Sequence, residues 1–156
     1  MLGSIRRFFD EFLPSAPAET SPQRHQHQLQ LATAALLIEM TRADFAHDPA
    51  ERDHVLALLQ REFSLSAHEA ERIADLGADA ADAAVSLYDF TRRLDEALSP
   101  EDKIRVIEML WQVAYADGTL DKYEEHLLRK LADLLHLSHR QLIQAKHRVL
   151  EAHGQA

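Results

Sequence analysis

The chain contains no cysteine among its 156 residues. Thiolate zinc sites, iron–sulfur clusters, cysteine nucleophiles and disulfide frameworks are excluded at once. With only four glycines, neither of the glycine-rich phosphate loops, G-x-x-x-x-G-K or G-x-G-x-x-G, can be written anywhere. No run approaches the roughly 18 apolar residues that a membrane span needs. Residues 1–13 lack the continuous apolar region and cleavage site of a signal peptide, so a cytoplasmic location is expected. Positive charge is not in surplus either: the net charge is -9, which argues against a chain-wide attraction for nucleic acid.

What is present describes a globular chain of one domain's length. Hydrophobic residues make up 46% and charged residues 28%, too apolar for a disordered chain. A chain of this size can bury roughly 70% of its unfolded surface without a metal or disulfide staple. The acidity is uneven. Residues 25–98 carry 14 acids against 6 bases, whereas residues 99–156 carry 9 against 8. Ten histidines stand ready to reduce that negative charge as the pH falls toward 6.

Three stretches follow from periodicity and composition. Residues 1–13 place Leu2, Ile5, Phe8, Phe9, Phe12 and Leu13 on one side of a helix, with Arg6, Arg7, Asp10 and Glu11 on the other. Residues 14–24, rich in proline, serine and alanine, read as a linker. A helix so tethered folds back on its own domain, packs on a second copy or touches a membrane surface. The balanced charges of its polar face weaken the membrane alternative. From residue 25 to 152 every segment reads helical. A long helix over about 25–45 is apolar nearly all round near Ala34–Ile38, as a central buried helix should be. Asp48-Pro49-Ala50-Glu51, Ser66-Ala67-His68-Glu69, Ser99-Pro100-Glu101-Asp102, Asp121-Lys122-Tyr123-Glu124 and Ser138-His139-Arg140-Gln141 are helix starts. Gly77 is placed to close the helix that Ser66 opens. The fold class is all-α: a duplicated helical bundle preceded by a short amphipathic helix.

The duplication is read from two stretches that match, one within about 30–76 and one within about 103–150. Asp44, Asp48 and Glu51 align with Asp117, Asp121 and Glu124; after a one-residue slip, His54-Val55-Leu56 aligns with His126-Leu127-Leu128. Ser64-Leu65-Ser66 then meets His136-Leu137-Ser138. Each copy is a central helix ending in Ala-Asp, an acidic loop, a capped helix, a connection ending in serine, and another helix. The two acidic loops should form equivalent corners of the bundle.

The second copy runs Leu110-Trp111-Gln112-Val113-Ala114-Tyr115-Ala116-Asp117-Gly118-Thr119-Leu120-Asp121-Lys122-Tyr123-Glu124-Glu125-His126. With the L-L-x-x-L-A and histidine-serine connection that follow, it resembles the tellurite-resistance protein B-like (TerB-like) family. The resemblance covers about residues 25–150, more strongly in the second half. It implies a compact duplicated all-helical fold, a bacterial stress-response association, and acidic residues that bind a divalent cation. The first copy departs from the pattern, with Phe45 in place of Gly118 and Arg52 in place of Glu125, which puts two equivalent metal sites in doubt.

Hard divalent cations need several oxygens converging on one point. Asp117, Asp121, Glu124 and Glu125 fall within nine residues, and Gly118 can take the positive φ that would gather them. Asp44, Asp48 and Glu51, with Asp53 nearby, are the counterpart in the first copy. Neither loop has the spacing of an EF-hand. The same acids are those a helix N-terminus selects for capping, so spacing leaves cap and ligand both open. Glu39 and Glu108, on otherwise apolar central helices, are expected at the edge of the buried face. His25 with His27 and His136 with His139 are expected to be solvated.

His68-Glu69-Ala70-Glu71-Arg72 lacks the second histidine of H-E-x-x-H, so no zinc protease is implied. Di-metal bundle sites draw a Glu-x-x-His pair from each of two helices, and this chain has a single such pair, Glu51-Arg52-Asp53-His54. No catalytic residue is assigned and no enzyme is expected. No cofactor is called for beyond a weakly bound divalent cation. The expected function is that of a stress-response interaction or cation-sensing module working through its acidic loops, in association with a protein partner or a second copy. A membrane-surface or oligomerising adaptor acting through residues 1–13 is the alternative, and a carboxylate metalloenzyme the least favoured.

Overall fold

A computed structural model describes residues 3–13, 21–44, 49–76, 83–116 and 122–152, with the side chains of 42–44, 49–52, 83–84 and 122–125 outside the described set. The described residues form eight helices and no strand: α1 (Gly3–Phe12), α2 (Pro22–Asp44), α3 (Pro49–Phe63), α4 (Ala67–Ala74), α5 (Ala83–Ala97), α6 (Pro100–Ala116), α7 (Lys122–Leu134) and α8 (His139–Ala152). The all-α expectation holds. One boundary moves: α2 begins at Pro22, inside the stretch read as linker. The Ser21 hydroxyl accepts from the Arg24 amide at 3.2 Å, and proline at the first helical position loses no bond because that N–H has no partner in a helix. Similarly α4 closes at Asp75, whose N–H donates to the Glu71 carbonyl while the Leu76 N–H donates to that of Ile73, before Gly77, which lies outside the described residues.

Two helices form the centre. On α2, Leu29, Ala32, Ala34, Ala35, Leu36, Ile38 and Met40 are all buried, because α3, α4, α5 and α6 surround it. On α6, Val106, Ile107, Leu110, Trp111 and Val113 are buried beneath α2, α3, α7 and α8. The two run parallel. His25 meets Asp102 near their N-termini, and two turns on the Thr33 hydroxyl approaches Met109 Sδ at 3.5 Å. Trp111 is almost fully buried. Its indole N–H donates to the Leu142 carbonyl of α8 at 3.1 Å, and Lys146 Nζ lies 5.4 Å from the ring centroid. The side chain thus ties α8 to α6 both by area and by a satisfied polar tip.

Glu39 is not at an edge. It is fully buried on α2, and the buried Ser86 hydroxyl of α5 donates to its Oε2 at 3.1 Å. The sequence-based expectation fails because α5 covers the one flank of α2 that looked open. Glu108 does lie at the edge of α6, half-buried and ion-paired to Arg148 of α8.

The corners α3–α4 and α7–α8 share one backbone geometry. Ser64 (φ 52°) and His136 (φ 62°) are both left-handed, costing roughly 1–2 kcal/mol each for residues with a Cβ. Leu65 N–H reaches back to the Gln60 carbonyl and Leu137 N–H to the Ala132 carbonyl, at 3.1 and 2.8 Å, the six-to-one bond of a Schellman cap. Reciprocal caps follow. Ser66 and Glu69 exchange bonds of 3.1 and 2.9 Å, as do Ser138 and Gln141 at 3.1 and 2.8 Å. These caps are fixed by local sequence alone.

Helix α1 folds back on its own chain. Ile5, Phe8 and Phe9 are buried. The rings of Phe8 and Phe9 lie 5.8 and 5.2 Å from Phe90 of α5, and Phe12 faces His68 of α4 at 6.2 Å.

Candidate functional site

The acidic corners follow α2 and α6. Because those helices are parallel, their C-terminal ends emerge at one end of the bundle. The backbone of Asp44, Glu51, Glu124 and Glu125 is helical. Their side chains, and all of Asp48, Asp117 and Asp121, lie outside the described residues, so the geometry of the seven expected cation ligands is not drawn. Asp53 is exposed on α3. Among the described residues, no group of three or more histidines and acids is placed to hold a metal ion.

At the opposite end, where α2 and α6 begin, the structure gathers residues that the sequence left scattered. His25 Nε2 donates to Asp102, lying 3.1 and 3.0 Å from its two oxygens. His27 has oxygen acceptors at both ring nitrogens, Gln30 Oε1 at 2.9 Å from Nδ1 and Glu69 Oε2 at 2.9 Å from Nε2. The expectation that this pair of histidines is solvated is therefore corrected. Helix α2 starts early enough to seat them, and α4 and α6 bring carboxylates to them. Glu11 of α1 takes His68 Nε2 at 2.8 Å on one oxygen and Arg72 Nε at 3.3 Å on the other. His136 stays mostly exposed, though its ring nitrogen lies 3.1 Å from Asp95.

Two carboxylates are held below their ordinary range. Burial alone would raise the Glu69 pKa; the hydrogen bond from the Ser66 amide and then the His27 bond and charge outweigh it and lower it. For Asp95 the Lys103 ammonium is the leading cause of the lowering, opposed by burial and assisted by His136. Each attraction favours the charged form. On α5, Asp89 holds both Arg92 and Arg93, at 3.1 and 3.0 Å, which accounts for the adjacent arginines without a nucleic-acid surface.

An open groove of about 500 Å³ lies at this same end, lined by Phe9 and Leu13 of α1, His25 and Leu29 of α2, Arg93 of α5 and Asp102 of α6 among others. Of its polar groups, His25 and Asp102 are paired with each other, while Arg93 and Glu96 pair with Asp89 and Arg92 of α5.

The sequence profile of the family described as Tellurite resistance protein TerB matches residues 30–147. The chain belongs to the TerB family. No curated protein and no solved structure matches it. The TerB segment takes in α3 to α7 and most of α2 and α8. It leaves out α1, the first turns of α2 and the last residues of α8. Glu11, His25 and His27 therefore lie outside the TerB segment, while their partners His68, Arg72, Glu69 and Asp102 lie inside it. Sequence reasoning missed these pairings because partners 42 to 77 residues apart leave no periodic signal. Among the described residues no helix is long and apolar enough to cross a membrane.

Proposed function

We propose that this TerB-family chain is a non-enzymatic interaction or cation-sensing module whose two acidic corners act from one end of the bundle. The observation that carries the reading is the parallel run of α2 and α6, which brings the C-terminal ends of both helices to one end of the bundle. The likeness of the α3–α4 and α7–α8 corners, each with a left-handed residue, a Schellman bond and a serine cap, supports it. A divalent cation held by Asp117, Asp121, Glu124 and Glu125, with Asp44, Asp48 and Glu51 as the weaker counterpart, fits the oxygen-only chemistry of hard cations. A tellurite-resistance or stress-response setting comes from the family.

The alternative, an adaptor acting through α1, requires a helix whose apolar face is available. In this structure that face is occupied by the chain's own α5.

Isothermal titration with Ca²⁺, Mg²⁺ and Zn²⁺, on the wild type and on Asp117→Asn/Glu124→Gln, tests the reading. Micromolar binding that disappears in the variant is expected. Binding absent from both proteins, or equal in both, returns those acids to helix capping and removes the cation role.

A further inference from the structure

The seam between α1 and the TerB segment has the form of a helix lying in a trough. Ile5, Phe8, Phe9 and Phe12 fall at i, i+3, i+4 and i+7, the anchor spacing of an amphipathic helix docked in a groove. The first three are buried. Beneath them lies Phe90 of α5, itself fully buried, with the rings of Phe8 and Phe9 at 5.8 and 5.2 Å. One wall is α4, which turns His68 and Arg72 toward the two oxygens of Glu11. Phe90, His68 and Arg72 all belong to the TerB segment, and α1 does not. We propose that this trough is a helix-docking site of the TerB body, filled in cis by α1, and that it takes an amphipathic helix of a partner protein with the same aromatic face and an acid on the α4 flank.

Three features of the seam suit a site that exchanges its occupant. First, α1 is held through its side chains. Its backbone approaches its neighbours less closely than that of any other described helix, so its departure parts no closely packed helix pair. Second, the trough is larger than α1. The groove of about 500 Å³ runs along the Phe9 and Leu13 flank of α1, with Leu29, Ala97 and Leu98 across from it. A helix longer than the ten residues of α1 finds further apolar surface to cover there. Third, the wall formed by α4 selects charge. His68 and Arg72 both donate toward α1, so a docking helix is matched when it brings a carboxylate to that flank. Burial of the aromatic face supplies affinity without direction, and the carboxylate contact fixes how the helix lies. The acidic corners follow the other ends of α2 and α6, and the docking site does not rest on the cation reading.

Fluorescence anisotropy of a labelled peptide of residues 1–13, added to the full chain, tests the site. In Phe8→Ala/Phe9→Ala the cis helix loses its anchors and leaves the trough open. The peptide should bind this variant and raise its Tm, and the same peptide carrying both alanines should do neither. The wild type, whose trough is open only while α1 is away, should bind the peptide at least about tenfold more weakly than the double variant. Far-UV circular dichroism and Trp111 fluorescence report that the variant is folded. If it folds poorly, Glu11→Lys serves instead: it sets a cation beside Arg72 and leaves every buried ring in place. That variant should bind the peptide about two- to threefold more tightly than the wild type. A peptide that binds the folded double variant no better than its alanine form does, or binds wild type and variants equally, overturns the proposal. So does a wild-type dimer, seen by light scattering, that Phe8→Ala/Phe9→Ala dissolves, since it assigns the trough to the α1 of a second copy.

Discussion

Phe8→Ala is the sharpest probe of how α1 belongs to the fold. Phe8 is 2% exposed and its ring sits 5.9 Å from Phe9, 5.2 Å from Phe12 and 5.8 Å from Phe90. Truncating a buried phenylalanine costs about 3–5 kcal/mol through lost burial and the cavity left behind, and loss of the ring pairs falls within that range. Against a total stability of about 5–15 kcal/mol, this is a large fraction. A loss of about 3 kcal/mol should lower the Tm by roughly 6–12 °C for a domain of this size. The assay is urea denaturation followed both by far-UV circular dichroism and by fluorescence of Trp111, the single tryptophan, which lies in α6 away from the substitution. If α1 folds as one unit with the bundle, both probes shift together by the full amount. Phe12→Ala, at a half-buried position, should cost much less. A Trp111 transition that moves by less than about 1 kcal/mol would refute the reasoning, because it would mean that α1 melts off before the core and contributes little to it.

Other consequences follow from single contacts. Trp111→Phe keeps most of the buried ring but removes the donor to the Leu142 carbonyl; loss of that one hydrogen bond should destabilise the protein by about 0.5–1.5 kcal/mol, measurable by calorimetry. On the acid side, Glu69 and Asp95 are held below their ordinary pKa in the folded chain. Their contribution is present above the unfolded carboxylate value of about 4 and is lost as the pH falls through the lower folded values. The share of stability these two groups supply should therefore fall as the pH drops below about 4. Lys103→Met, which removes the leading partner of Asp95, should flatten part of that drop in denaturation midpoints taken from pH 6 to pH 3.

Local sequence determined a good deal of this protein. The helix caps at Ser66 and Ser138 form where the serine and the Glu or Gln three residues on require them, because every partner lies within one turn. The apolar runs of α2 and α6 announced buried central helices, and the A-D-G stretch beginning at Ala116 announced the family. Tertiary structure alone decided the rest. Helical periodicity shows that residues 5, 8 and 9 need a cover but not that Phe90 supplies it. Glu39 looked like an edge residue until α5 closed over it with Ser86. The acids that answer His25 and His27, and the histidine that answers Glu11, lie on other helices, and chain distance carries no record of which surfaces will meet. Hydrophobic burial is non-directional: it tells a segment to hide one face, and only the packed bundle settles which neighbour hides it and which charges are brought to the seam.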